Sequence, residues 1–304
     1  MVWLSDLALV LVTFIWGATF SITKVGVEHF DPFLYLAIRF GLAWIILRSV
    51  HLILSRRRYT WSEIKLGAGA AFFLCTGFVT QTAALKYTTA SKVAFITGLS
   101  VVLVPLLAIA LTKEKPHWTA LVGALLSFCG LATLSFEPDL VGWIGFGDLL
   151  ALACALSFAG HILFVGRYAI WISPVSFSTI QIGFTAFFCA VLGLLRGPLP
   201  DFRGFPVSVW WGLAYLAILA TMASTLLQTW AQRHTTSTRA AIIFSLEQVI
   251  APVFAYFLLG EALTAKTLIG GALILSGILL AQLGPQMETA PPTETVPQAD
   301  SESY

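Results

Sequence analysis

The sequence predicts an all-α membrane protein with ten transmembrane helices, arranged as two inverted five-helix repeats. Three observations predict it. The 304 residues are 58% apolar and only 11% charged, with a mean hydropathy of +0.88. A soluble domain carries about 25% charged residues, so this chain is solvated by lipid. Ten apolar segments approach the roughly 20 residues that a helix needs to cross a hydrocarbon core about 30 Å thick. Finally, Gln81–Gly130 recurs as Gln228–Gly277 at an offset of 147 residues without a gap, with 17 of 50 positions identical. Matches of Ala, Leu and Val are cheap in such a chain. Gln81-Thr82 with Gln228-Thr229, Thr88-Thr89 with Thr235-Thr236, Pro105 with Pro252, and Glu114 with Glu261 are not. A repeat of nearly half the chain is a duplication of one unit. Five helices per unit is an odd number, so the second copy enters from the opposite side of the membrane, as in inverted-repeat carriers.

The segments run over 4–23, 32–54, 66–85, 93–112, 118–136, 147–166, 174–195, 208–230, 240–259 and 267–284. The first lacks a basic leader and a small-residue cleavage site, so it is read as a retained helix. Asp31-Pro32 and Ser173-Pro174 open the second and seventh segments, since Pro suits a first helical turn. Glu137-Pro138-Asp139 closes the fifth. The units are therefore 1–146 and 147–284, followed by a disordered cytoplasmic tail, 285–304, which holds four acids and no Lys or Arg.

Loop charge orients the chain. With the N-terminus inside, the cytoplasmic loops hold ten Lys and Arg against six outside, the largest local excess being Arg56-Arg57-Arg58. Both termini are expected in the cytoplasm of a bacterial inner membrane. Trp3, Trp61, Trp118, Trp143, Trp171, Trp210 and Trp211 fall at segment ends, where an aromatic belt forms. Cys75, Cys129, Cys154 and Cys189 all lie in apolar runs and read as small buried hydrophobes. The net charge of +2 points to no nucleic-acid partner. The partners expected are the bilayer and a small organic substrate, with the chain a monomer or weak homodimer.

An ionisable residue in a membrane interior is a functional candidate by default. Arg39 lies seven residues into the second segment, and Glu247 eight past Arg239 in the ninth. Helical rise puts each roughly 10–12 Å deep, from opposite faces, so a direct pair is open rather than required. Glu247 is placed facing a cavity, to hold a substrate amine or carry a coupling proton. Gln81 and Gln228 are repeat mates, suited to contacts on either side or to interhelical hydrogen bonding. His161 in the sixth segment is a further candidate. Trp16, Phe20, Trp230 and Phe244 are mid-segment aromatics that fit an organic substrate. Pro105 and Pro252 each remove a backbone donor inside a helix, and are expected to act as matching hinges. Gly123/Gly130 and Gly270/Gly277, each seven apart, read as packing surfaces. Glu114 and Glu261 read as boundary residues. No Walker A loop, metal-spaced His/Asp cluster or nucleophile elbow occurs, so the chain is read as neither an enzyme nor dependent on a cofactor.

Trp16-Gly17-x-x-Phe20, Arg39-Phe40, Tyr87-Thr88-Thr89-Ala90-Ser91, Ser245-Leu246-Glu247 and Gly260-Glu261, with the duplicated unit, make residues 5–284 resemble the drug/metabolite transporter superfamily, specifically EamA-type ten-helix carriers. The resemblance implies a central cavity lined by the first, third, fourth, sixth, eighth and ninth helices. It implies a secondary exporter of small metabolites, amino acids or related compounds first, working by alternating access. A drug or nucleotide-sugar carrier of the same architecture, or an ion channel, are the alternatives. The family pattern often places Pro after the ninth-helix Glu; here that residue is Gln248, and the proline stands at Pro252.

Overall fold

The computed structural model describes residues 2–54, 58–112, 118–135, 145–197 and 202–282. Arg56, Arg57, Glu114, Trp143, the Glu137-Pro138-Asp139 turn and the 285–304 tail lie outside these residues. Within them the chain is helical throughout, with no strand. The helices are α1 (Val2–Gly17), α2 (Thr19–Gly26), α3 (Pro32–Leu54), α4 (Trp61–Ala84), α5 (Ala90–Thr97), α6 (Ser100–Thr112) and α7 (Trp118–Ser135). The second half holds α8 (Phe146–Tyr168), α9 (Pro174–Arg196), α10 (Val207–Tyr215), α11 (Ser224–Ala231), α12 (Ser237–Phe244), α13 (Glu247–Leu259) and α14 (Ala265–Gln282). A π-helical stretch, Leu216–Ala223, joins α10 to α11. Seven segments among the described residues are long and apolar enough to cross a bilayer, while 90–104, 122–133 and 265–280 are shorter apolar helices. Those three overlap the fourth, fifth and tenth segments expected from sequence, but are shorter than a full span.

The starts of these helices follow from local chemistry. Thr60 caps α4 in a reciprocal capping box with Glu63. Ser173 caps α9 with Pro174 behind it. Thr89 and Thr236, residues 147 apart, each accept a hydrogen bond from the backbone N–H three residues on, at Lys92 and Arg239. From that point the halves keep step. Adding 147 to the bounds of α5, α6 and α7 gives the bounds of α12, α13 and α14. Even the interruptions agree: Leu99 N–H bonds to Ile96 O and Val101 N–H to Gly98 O, as Leu246 bonds to Ile243 and Gln248 to Ser245. These three-residue steps tighten the backbone at Gly98–Leu99 and Ser245–Leu246, seven residues ahead of Pro105 and Pro252, which lie within α6 and α13.

The longest seam joins α7 and α14. A Cβ added to Gly130 would stand 2.6 Å from the Gly270 oxygen, and one added to Gly277 2.5 Å from the Gly123 oxygen. Small residues let these backbones meet. At the crossing Ser127 Oγ reaches the carbonyl of its own repeat mate, Ile274, at 3.5 Å. Similarly α3 lies along α9, Leu34 meeting Gly193 and Trp44 meeting Gly183. The end of α2 meets the loop after α13 through Lys24 and Glu261, 3.8 Å apart. The start of α1 meets that of α12 through Asp6 and Arg239 at 2.5 Å. The start of α8 meets that of α5 through Asp148 and Lys92 at 3.0 Å. Trp3, Trp61, Trp118, Trp171, Trp210 and Trp211 are exposed or half-buried at segment ends.

Candidate functional site

Where α1, α3, α4, α8, α11 and the two interrupted helices converge, they leave a cavity with about 60 Å³ of space for the centres of water molecules. One water needs roughly 10–15 Å³ by that measure, so the cavity has room for several. Its walls come from equivalent places in both halves. Gln81 and Gln228, Phe78 and Thr225, Thr97 and Phe244, Ser100 and Glu247, and Val101 and Gln248 are all 147 apart, and all line it.

Seven of the nine side chains singled out from sequence meet here: Trp16, Arg39, Gln81, His161, Gln228, Phe244 and Glu247. Phe20 and Trp230 do not. Phe20 is 1% exposed and belongs to the apolar core. Trp230 packs on that core with its ring 5.2 Å from His234. Trp230 is two residues past Gln228, a rotation of roughly 200°, so both cannot face one cavity. Phe20 stands one turn past Trp16, but the helix breaks at Ala18 between them.

The breaks position the rest. In the first segment the Ile15 carbonyl accepts from the Tyr215 hydroxyl at 2.8 Å, and the Trp16 carbonyl from Thr19 Oγ1 at 2.7 Å. Trp16 Nε1 in turn donates to the Ala220 carbonyl at 3.0 Å, and its ring lies 5.2 Å from Phe244. Ala220 belongs to the π-helical stretch, whose wide turn shifts the backbone register; such turns often sit at functional sites. The same stretch presents Thr221, which accepts from Arg39 Nε at 2.8 Å. The Arg39 guanidinium also rests over the Phe78 ring at 4.6 Å. It is 1% exposed, and its Nη2 has no hydrogen-bond partner among the described residues. The guanidinium carries five donors and is charged at any physiological pH. Arg39 and Glu247 line the same cavity but form no ion pair among the described residues. Glu247 opens α13 just past the Ser245–Leu246 interruption, half-buried in the cavity wall. His161 Nε2 meets Gln181 Oε1 at 2.8 Å, and Gln228 donates to Gln232, which donates to the Ile162 carbonyl. His161 and Gln228 are thus braced, whereas Arg39 holds an unmatched donor.

Thr221 and Thr225 are not among the candidates that the sequence offers, and Gln248 enters there only as the residue standing where the family pattern often has Pro. Thr221, Thr225 and Gln228 fall at helical spacings of four and three, a polar stripe that periodicity could have found. The register shift at Leu216–Ala223 has no signal in its apolar sequence. Arg39, on α3, adds the second segment to the six expected around the cavity.

A large cavity with converging polar groups, inside a bundle of apolar helices, is what a membrane transporter presents to a solute. The comparisons agree. The EamA-like transporter family model matches residues 3–136 and again 145–283. The chain belongs to the EamA-like transporter family, within the drug/metabolite transporter superfamily. An uncharacterized transporter of Archaeoglobus fulgidus is 33% identical over 92% of this chain and 86% of its own length. The uncharacterized transporter YyaM of Bacillus subtilis is 25% identical over 87% of this chain and 89% of its own. A solved crystal structure shares the fold with a TM-score of 0.68 at 20% identity, over 92% of this chain and 96% of that one.

Proposed function

We propose that the protein is a secondary-active exporter of small organic metabolites, amino acids or related compounds first, in which two inverted five-helix repeats alternate access to one central site. The observation that carries this reading is the set of five repeat-mate pairs lining a single cavity. Arg39 would take the substrate carboxylate and Glu247 its amine, with Trp16, Phe78 and Phe244 packing on the carbon skeleton. The reciprocal Gly130–Gly270 and Gly277–Gly123 contacts support the inversion, because adding or subtracting 147 turns one into the other. So do the helix ends: α1 starts beside the start of α12 and α8 beside that of α5, while Glu261, past the end of α13, also reaches the start of α5.

Arg39 is the single Lys or Arg among the described residues lining the cavity. That favours a monoanionic or zwitterionic substrate over a nucleotide sugar, whose two phosphates call for several cations. The interruptions at Gly98 and Ser245 and the prolines after them would be the hinges. We place the chain in a bacterial inner membrane as a monomer or weak dimer, with both termini in the cytoplasm.

The test is counterflow in proteoliposomes holding the purified chain, with each amino acid offered in turn. Saturable uptake that accelerates against internal substrate is expected. Flux that neither saturates nor counterflows would make it a channel. For topology, a Cys at position 58 should resist an impermeant thiol reagent applied to intact cells; ready labelling would reverse the orientation.

A further inference from the structure

Two cavity-lining side chains carry a buried polar atom with no hydrogen-bond partner among the described residues: Arg39 Nη2, a donor, and Gln248 Oε1, an acceptor. Arg39 belongs to the reading above. Gln248 does not, and it stands where the family pattern often has proline. It is 2% exposed, and its amide lies against Gly98, where a Cβ would be 2.8 Å from Gln248 Nε2 and closer still to the side-chain carbons. The side chain therefore fits only because residue 98 has none. Four residues on, Pro252 offers no N–H to the Gln248 carbonyl, so the helix is locally short of a donor as well. A buried amide oxygen without a partner is costly, and such an acceptor is sustained where something else fills it.

We propose that Gln248 is a specificity-determining residue, whose Oε1 accepts an N–H or O–H on the distal part of the bound substrate. This rests on the substrate reading above, which assigns the carboxylate and amine elsewhere. Gly98 is the positioning partner that leaves the amide its place. The cavity then favours solutes bearing a third polar group over their apolar counterparts, because a solute without a donor leaves the amide oxygen dry and unpaired.

The experiment compares matched substrates in proteoliposomes: serine with alanine, threonine with valine, and tyrosine with phenylalanine. The hydroxyl-bearing member is expected to be carried about tenfold better in at least one pair, since an unpaired buried acceptor costs about 1–3 kcal/mol. In Gln248→Met, which keeps length and loses the acceptor, that ratio falls towards one. A ratio unchanged in folded Gln248→Met overturns the proposal, as does a wild type without preference between the members of any pair it carries. Thermal unfolding of the substrate-free chain in detergent supplies a second readout. An acceptor left empty for substrate predicts that Gln248→Met melts a few degrees higher. A lower melting temperature would mean that the amide braces the fold, and would overturn the proposal. If wild type carries no member of any pair, the amino-acid reading fails, and the melting shift alone decides on Gln248.

Discussion

The pair α5–α6 and the pair α12–α13 follow one backbone plan with different chemistry. Both begin at a threonine cap, both tighten after eight residues, and both carry a proline further on. At the interruption the first reads Thr97, Gly98, Ser100, Val101, and the second Phe244, Ser245, Glu247, Gln248. The first turns differ too. Lys92 pairs with Asp148, which is 2% exposed, whereas its repeat mate Arg239 pairs with Asp6 near the surface, at 51% and 23% exposure. The α5 start is further tied by Glu261, which accepts from the Ala90 and Ser91 backbone N–H groups at 2.7 and 3.1 Å and from the Ser91 hydroxyl at 2.7 Å. A carboxylate at a helix N-terminus is favoured by the helix dipole. Gly260, at φ 67, lets the chain turn back so that Glu261 arrives there. Duplication thus repeats the path of the chain, while the substrate chemistry and the strength of the end contacts are set separately in each copy.

The largest effect expected from breaking this comparison is at the buried ion pair. Asp148→Asn leaves Lys92 without its counter-charge and costs about 3 kcal/mol of stability. Asp6→Asn, at the equivalent end of the other pair, shifts the melting temperature little, because the Asp6–Arg239 pair is solvated. Equal losses would remove the distinction between the two ends.

The prolines sharpen it next. Pro252→Ala restores a donor to the Gln248 carbonyl and can raise stability, by up to about 3 kcal/mol. If the bend serves the transport cycle, turnover falls although the protein is no less stable. Pro105→Ala should act in the same direction. Unchanged turnover in both variants would return the two prolines to packing.

The smallest effect is at the caps. Thr89→Ala and Thr236→Ala each remove one side-chain acceptor and should each cost about 1 kcal/mol. Thermal melts of the two variants should agree closely, since the threonine cap itself is the same in both copies.

Much of this was legible in the sequence. Segment positions followed from apolar length, and the ungapped offset of 147 residues foretold that element bounds would match. Helical rise marked Arg39 and Glu247 as mid-segment charges, and both line the cavity. Facing was harder. Trp230 could have been set aside from its two-residue distance to Gln228, but Phe20 required knowing that the helix breaks at Ala18. The tightening at Gly98 and Ser245 was hidden as well. Proline marks where a donor is missing, whereas the three-residue hydrogen bonds form seven positions earlier, where no residue type compels them. By local pattern Glu261 reads only as a boundary residue. Its partners at Ala90 and Ser91 are 170 or more residues away in the chain, beyond the reach of local pattern.

The central claim is that, of the repeat-mate pairs that line the shared cavity, only the second copy supplies a charge, Glu247 where the first has Ser100. The direct measurement is proteoliposome counterflow of wild type, Glu247→Gln and Ser100→Ala, normalised to folded protein. Gln keeps the size and removes the charge, so Glu247→Gln is predicted to lose about tenfold to a hundredfold, as befits a hydrogen bond to a charged group of about 1.5–3 kcal/mol. Ser100→Ala, at the repeat mate in the same cavity wall, is predicted to stay within about fivefold of wild type, since a neutral hydrogen bond nets about 1 kcal/mol. Wild-type flux through folded Glu247→Gln, or equal losses in the two variants, would contradict the account.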